Sequence, residues 1–70
     1  MIRIPVVSSN LKSVGYDPKT KSLEVEFKGG GVHQYLDVST GHHKALMSAP
    51  SIGSYFHEHI RSAHKSKPAT

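Results

Sequence analysis

No cysteine occurs in this 70-residue chain, which excludes disulfide staples and every thiolate metal site. Acidic residues are scarce: five Asp and Glu stand against nine Lys and Arg, a formal net charge of +4. No apolar run approaches the roughly 18 residues that a transmembrane helix needs. The opening Met1-Ile2-Arg3-Ile4-Pro5-Val6-Val7 carries an early positive charge. Pro5 interrupts it, however, and no long apolar stretch with a small-residue cleavage site follows, so no signal peptide is read. A cytoplasmic location with no membrane partner is the default expectation. Hydrophobic residues make up only 36% of the chain, and a core of that size supplies about 3–5 kcal/mol without staples. Enclosed pockets of about 300–1,000 Å³ need more wall than so short a chain offers. One small domain is expected, a non-catalytic binding module with no cofactor.

The basic balance suits nucleic acid, an acidic protein surface or an anionic membrane, although solubility alone also explains a charge of this size. Residues 61–70 hold three of the nine positive charges and no acid, which leaves the rest of the chain at +1. The six histidines would carry the formal charge to +10 if all were protonated, strengthening attraction for a polyanion as pH falls through about 6.5.

Along the chain, residues 1–7 read as an extended arm whose apolar side chains dock on the domain edge. Leu11 to Asp17 is weakly strand-like, with Val14 and Tyr16 on one face. Asp17-Pro18-Lys19-Thr20 is a turn, because Asp caps its own turn and Pro fixes φ at the second position. Ser22 to Lys28 alternates with a period of two: Leu23, Val25 and Phe27 against Glu24 and Glu26, the mark of a strand with one wet face. Gly29-Gly30-Gly31 lacks the Gly-Lys-Ser/Thr ending of a phosphate loop and reads as a hairpin turn into a third strand, Val32 to Val38. Ser39 and Thr40 are candidate N-caps of a helix running to about Ala49. Pro50 ends that helix and Ser51 caps the next, in which Ile52, Tyr55, Phe56, His59 and Ile60 share a face. Residues 62–70 are aperiodic and basic, and read as a disordered tail.

Histidine suggests metal first. His57 and His59 lie about 200° apart around a helix, and His42 and His43 about 100° apart, so neither pair points at one ion and no metal site is assigned. No Gly-x-Ser-x-Gly elbow and no paired carboxylates exist, so no catalytic residue is assigned. Interleaved aromatic and basic residues point to nucleic acid. Aromatic faces stack on unpaired bases for about 1–3 kcal/mol each, and cationic side chains neutralise phosphate. Tyr16, His33 and Tyr35 form the candidate aromatic strip; Lys12, Lys28, Arg61, Lys65 and Lys67 are the candidate phosphate contacts. Against this, a core so small needs its aromatics, which favours burial of the tyrosine rings with only their hydroxyls reaching the surface.

Five motifs in order, Ser8-Ser9-Asn10-Leu11-Lys12-Ser13-Val14-Gly15-Tyr16-Asp17, Leu23-Glu24-Val25-Glu26-Phe27, Gly29-Gly30-Gly31-Val32, Tyr35-Leu36-Asp37-Val38 and Ser51-Ile52-Gly53-Ser54-Tyr55-Phe56, resemble the KTSC domain family over residues 8–61. That family is named for a C-terminal extension of some lysyl-tRNA synthetases and also occurs as small free-standing bacterial and phage proteins; the resemblance implies RNA binding. The family's central Tyr-x-Tyr falls on His33-Gln34-Tyr35, so its first aromatic is replaced. His42 and His43 stand where apolar or aromatic residues are usual, and Ser39 where proline is common.

The expected architecture is α+β: a three-stranded antiparallel meander packed on one face by two short C-terminal helices. The expected partner is RNA or another nucleic acid. The competing expectation is a protein-interaction module docking on a host protein through Ile2, Ile4, Val6 and Val7 or the His42–Met47 helix.

Overall fold

Two turns organise the chain in the computed structural model, which describes residues 2–69. At the first, the Asp17 carboxylate accepts a hydrogen bond from the Lys19 N–H at 2.9 Å, joining β2 (Leu11–Asp17) to β3 (Ser22–Phe27). At the second, Gly30 and Gly31 have φ of +108° and +87°, a region that glycine enters without a Cβ clash. The Phe27 N–H closes that turn by donating to the Gly31 carbonyl at 3.1 Å, and β4 (Val32–Tyr35) follows.

The fold is α+β as expected, but its sheet has five strands rather than three. β1 (Arg3–Pro5) pairs with β2, and β5 (Ser66–Pro68) pairs with β4. The order is β1-β2-β3-β4-β5 with every neighbour antiparallel. The missed strands have three residues each, too few to show an alternation. Each also contains a proline, which only an edge strand tolerates, and both are edges. The last nine residues, read as an aperiodic basic tail, therefore supply a strand. β4 stops three residues before the expected end, because Asp37 takes a left-handed φ of +58° and turns Val38 into the core.

One face of the sheet carries the core. Val14 lies opposite Val25, Tyr16 opposite Leu23, Leu23 opposite Tyr35, and Val25 opposite His33. Two helical segments cover this face. α1 (Thr40–Ser48) starts at Ser39, whose hydroxyl accepts from the His42 N–H at 3.1 Å, and it buries Leu46. After Pro50, the Ser51 hydroxyl accepts from the Ser54 N–H at 3.3 Å and opens α2 (Ile52–Tyr55). This helix runs on as a π-helical stretch, Phe56–Arg61, that buries Phe56 and Ile60. His59, expected on the buried face, is instead exposed, since the wider π turn shifts the phase of the helix. The opposite face of the sheet is polar. There Ser13 donates to Glu26 at 2.9 Å, and Arg3 reaches across Gly15 to pair with Glu24.

Gly53 joins α2 to the turn before β2. A Cβ built on it would lie 2.9 Å from the Ser8 hydroxyl, which accepts from the Asn10 and Leu11 N–H groups at 3.3 Å each. Helix propensity alone would make Gly53→Ala stabilising by about 1 kcal/mol. Displacing the Ser8 oxygen forfeits two hydrogen bonds of about 0.5–1.5 kcal/mol each, so a net destabilisation near 1 kcal/mol is expected in urea unfolding. In a Ser8→Ala background the same substitution should become neutral or stabilising, a coupling that a double-mutant cycle measures directly.

Candidate functional site

The seam between the β3–β4 hairpin and the π-helical stretch is concave, as is a cleft of about 350 Å³ on the polar face beside Arg3, Lys12 and Glu26. Phe56 packs edge-on against Phe27 at 5.7 Å and against Tyr35 at 5.1 Å between ring centroids, fixing the helix over the sheet. Residues four apart lie on one side of a helix; with Phe56 and Ile60 turned inward, His57 and Arg61 share the flank that faces the seam. Arg61 Nη1 lies 3.4 Å from His57 Nδ1.

Three open clefts touch Arg61: one, of about 350 Å³, is lined by His57 and the acidic Glu58 among others, and two run along the seam. The first seam cleft, of about 360 Å³, is lined by Asn10, Leu11, Phe27, Gly29, Gly53, Phe56, His57 and Arg61. The second, of about 430 Å³, is lined by Phe27, His33, Tyr35, Arg61 and Ser66. Phe27 and Arg61 belong to both walls, and no Asp or Glu is among the described lining residues of either. The clefts reach the size of small-ligand sites because they are open grooves along a seam, not enclosed cavities. In the second, Phe27 and His33 meet at 5.6 Å with ring planes 83° apart, forming a corner. Burial pushes the Tyr35 phenol above its ordinary value, opposed by the nearby Arg61 guanidinium and Ser66 hydroxyl, so at neutral pH it is an uncharged hydrogen-bonding group.

The candidate residues divide between two faces. His33, Tyr35 and Arg61 come together in the second cleft. Tyr35 is only 4% exposed, so its ring is core and has no free face for a base; its hydroxyl side forms the cleft floor. Tyr16 shares that sheet face but lies apart from the clefts: it is half-buried, donates to the Val38 carbonyl and stacks on His43. Lys28 falls between the lining residues Phe27 and Gly29, and its N–H donates to the Asn10 carbonyl at 2.9 Å. Lys65 precedes the lining residue Ser66. Lys12 lies on the opposite side, beside Arg3, Ser13 and Glu26, and Lys67 pairs with Gln34, whose strand position faces away from the core. Asn10, Phe27 and His57 were not among the candidates. His57 could be found only by knowing the π register, and Phe27 only by knowing that its ring lies at the seam, half-buried between Phe56 and His33.

A second cluster gathers histidines from separate elements. His42 lies 5.5 Å from His64 and 6.5 Å from His59, ring centroid to centroid, while Tyr55 lies 4.6 Å from His59. His64 Nδ1 is 3.0 Å from the Leu36 carbonyl. Among the described residues, no group of three or more His, Asp or Glu is placed to hold a metal ion, and no helix is long and apolar enough to cross a membrane.

His43 stacks flat on Tyr16, with centroids 4.4 Å apart and planes within 10°. Burial holds its imidazole below the ordinary 6.5. The unfolded chain therefore takes up this proton first as pH falls. Stability is unaffected well above 6.5, declines as pH drops through about 6.5, and levels off at its reduced value below the lowered pKa, where both states carry the proton. Thermal melts between about pH 7 and pH 5 should show a falling Tm, and His43→Phe, which keeps the stack and removes the titration, should flatten that fall.

Comparison with known proteins follows the same lines as the fold. The KTSC domain profile matches residues 7–64. The chain is 39% identical over 64 residues to an uncharacterized protein of Stutzerimonas stutzeri, covering 91% of this chain and 90% of that protein. It is 37% identical over 57 residues to a segment of the lysine–tRNA ligase of Nostoc sp., covering 81% of this chain but 10% of the ligase. A crystal structure of a KTSC domain protein from Yersinia pestis superposes with a TM-score of 0.95 at 38% identity, covering 99% of this chain and 97% of that one.

Proposed function

Because the chain belongs to the KTSC domain family, with a related segment inside a lysine–tRNA ligase, we propose that it is a small non-catalytic RNA-binding module. The observation that carries this reading is the pair of seam clefts that share Phe27 and Arg61 and have no acid in their lining, with His33 and His57 on their walls; Glu58 lines only the third cleft at Arg61. A guanidinium beside aromatic rings is the combination that holds single-stranded nucleic acid, cation on phosphate and ring on base. The opposite sheet face supports no such reading, since Glu24 and Glu26 neutralise it and Arg3 is already paired.

The test is a fluorescence-anisotropy titration of labelled single-stranded RNA and transfer RNA at low salt, where saturable binding is expected. Lys28→Gln should weaken it severalfold, whereas Lys12→Gln and Lys67→Gln, on the other face, should leave it within a factor of about two. Equal effects at all three lysines would mean that net charge alone attracts the polyanion. Deleting residues 62–70 is a poorer test, because it removes β5 together with the charge.

A second reading, docking on a partner protein, is favoured by one observation: Ile2, Ile4 and Val7 are 87%, 58% and 97% exposed, along or beside the free edge of β1. Val6, by contrast, packs on the core. Recovery of one discrete protein in nuclease-treated pull-downs, abolished by Ile4→Asp, would establish that reading instead.

A further inference from the structure

Building on the RNA reading, we infer that the two seam clefts sharing Phe27 and Arg61 receive two consecutive unpaired nucleobases, with the phosphodiester between them held by the Arg61 guanidinium. The clefts share Phe27 and Arg61 as walls, so occupants of the two are separated by one ring and one cation. Successive bases of a strand are likewise separated by one phosphate. Arginine matches that phosphate better than lysine would, because its planar fork gives two parallel donors. The position of Arg61 is set by the π stretch, which turns Phe56 and Ile60 into the core and leaves the guanidinium between the clefts.

Each cleft is furnished for a planar aromatic ligand. In the second, Phe27 and His33 stand nearly perpendicular, so a base lying flat on one ring meets the edge of the other, the arrangement that aromatic quadrupoles favour. The Tyr35 hydroxyl, beside Ser66, offers hydrogen bonding at the floor. In the first, Gly29 and Gly53 contribute no side chain, and the aromatic lining is Phe27, Phe56 and His57, with Asn10 as a polar neighbour. A Cβ at Gly29 would meet nothing within 4 Å, so that side of the cleft is open to a strand entering over the glycine turn. Bases stacked and paired in an A-form duplex have no free faces to insert, and the deep major groove hides their edges. The site therefore selects single strands, loops or ends.

The experiment compares three labelled probes against the full chain at one low salt concentration: a short oligouridylate, the same backbone with its bases removed, and an RNA duplex of equal length. The oligouridylate should bind at least about tenfold tighter than the abasic strand, and tighter than the duplex. His33→Ala should shrink the ratio between base-bearing and abasic strands while leaving the abasic affinity nearly unchanged; Arg61→Ala should weaken both strands. His57→Ala, at an exposed helical position, makes the same comparison for the first cleft if His33→Ala proves unstable. Equal affinity for the abasic and base-bearing strands, or duplex binding as tight as single-strand binding, would overturn the two-base site while leaving RNA binding itself intact. Failure of all three probes to bind would remove both readings.

Discussion

Phe56→Ala is expected to unfold the domain. The ring is buried at 3% exposure and is the contact through which the second helix meets the sheet, edge-on to both Phe27 and Tyr35. Truncating a buried Phe costs about 3–5 kcal/mol through lost burial and the cavity left behind. A staple-free domain of this length has roughly 3–5 kcal/mol in total, so the substitution consumes nearly all of it. Circular dichroism should show an unfolded spectrum at about 25 °C and no cooperative transition on heating. Ile60→Val, which removes one methylene from the neighbouring core position, should cost only about 0.5–1.5 kcal/mol and leave a shifted but cooperative transition. Retention of a native melt by Phe56→Ala would mean that the helix is held elsewhere than along this seam.

The second large effect concerns ionic strength. Arg61, Lys28 and Lys65 are the cations on, or adjacent in sequence to, the residues lining the two clefts. Three phosphate contacts to a single strand give a slope of log affinity against log salt near −2, so about a twentyfold loss between roughly 50 and 200 mM salt. Arg61→Ala should reduce that slope by about 0.7 and weaken binding at every salt concentration. Arg61→Lys should restore the slope but not the full affinity, since a point charge replaces a bidentate fork. A slope unchanged by Arg61→Ala would move the phosphate contacts off the seam, and an affinity indifferent to salt would exclude polyanion binding altogether.

The central hairpin and both helix starts were legible because their signals are local. Leu23/Val25/Phe27 alternation, the Asp17–Thr20 turn, the glycine triplet and the Ser39 and Ser51 caps each act within a few residues. β1 and β5 were not legible, because three residues with a proline among them show no alternation, and β5 in addition pairs with a strand on the far side of both helices in the chain. The π widening was equally hidden: Ile52, Tyr55, Phe56, His59 and Ile60 fit an ordinary amphipathic helix in sequence, and only packing against Phe27 and Tyr35 reveals that His59 faces out and that His57 and Arg61 face the seam. The candidate site was legible in kind but not in layout. His33, Tyr35 and Arg61 meet as a group. Lys12 and Lys67 cannot join them, because strand register puts them on the far face. Tyr16 and Tyr35 follow the expectation that a small core claims its aromatic rings.

One rule links these outcomes. Charge on the sequence becomes a binding surface only where no acid answers it, and the sheet divides its charges by face. On the polar face Arg3 is cancelled by Glu24, and Ser13 is tied to Glu26; in the two seam clefts Arg61 stands beside His57 and neutral Tyr35 with no acid in the lining, and Glu58 meets it only in the third cleft. Net charge alone does not predict which of the two faces would meet a polyanion.

The most direct measurement is a backbone amide NMR titration of the full chain with single-stranded RNA at low salt. Progressive shifts are expected at Asn10, Phe27 to Gly31, His33, His57 and Arg61, with Arg3, Ser13, Glu24 and Glu26 unmoved. Shifts confined to the polar face or the β1 edge, or no shifts at saturating RNA, would contradict the assignment of the seam as an RNA-binding site.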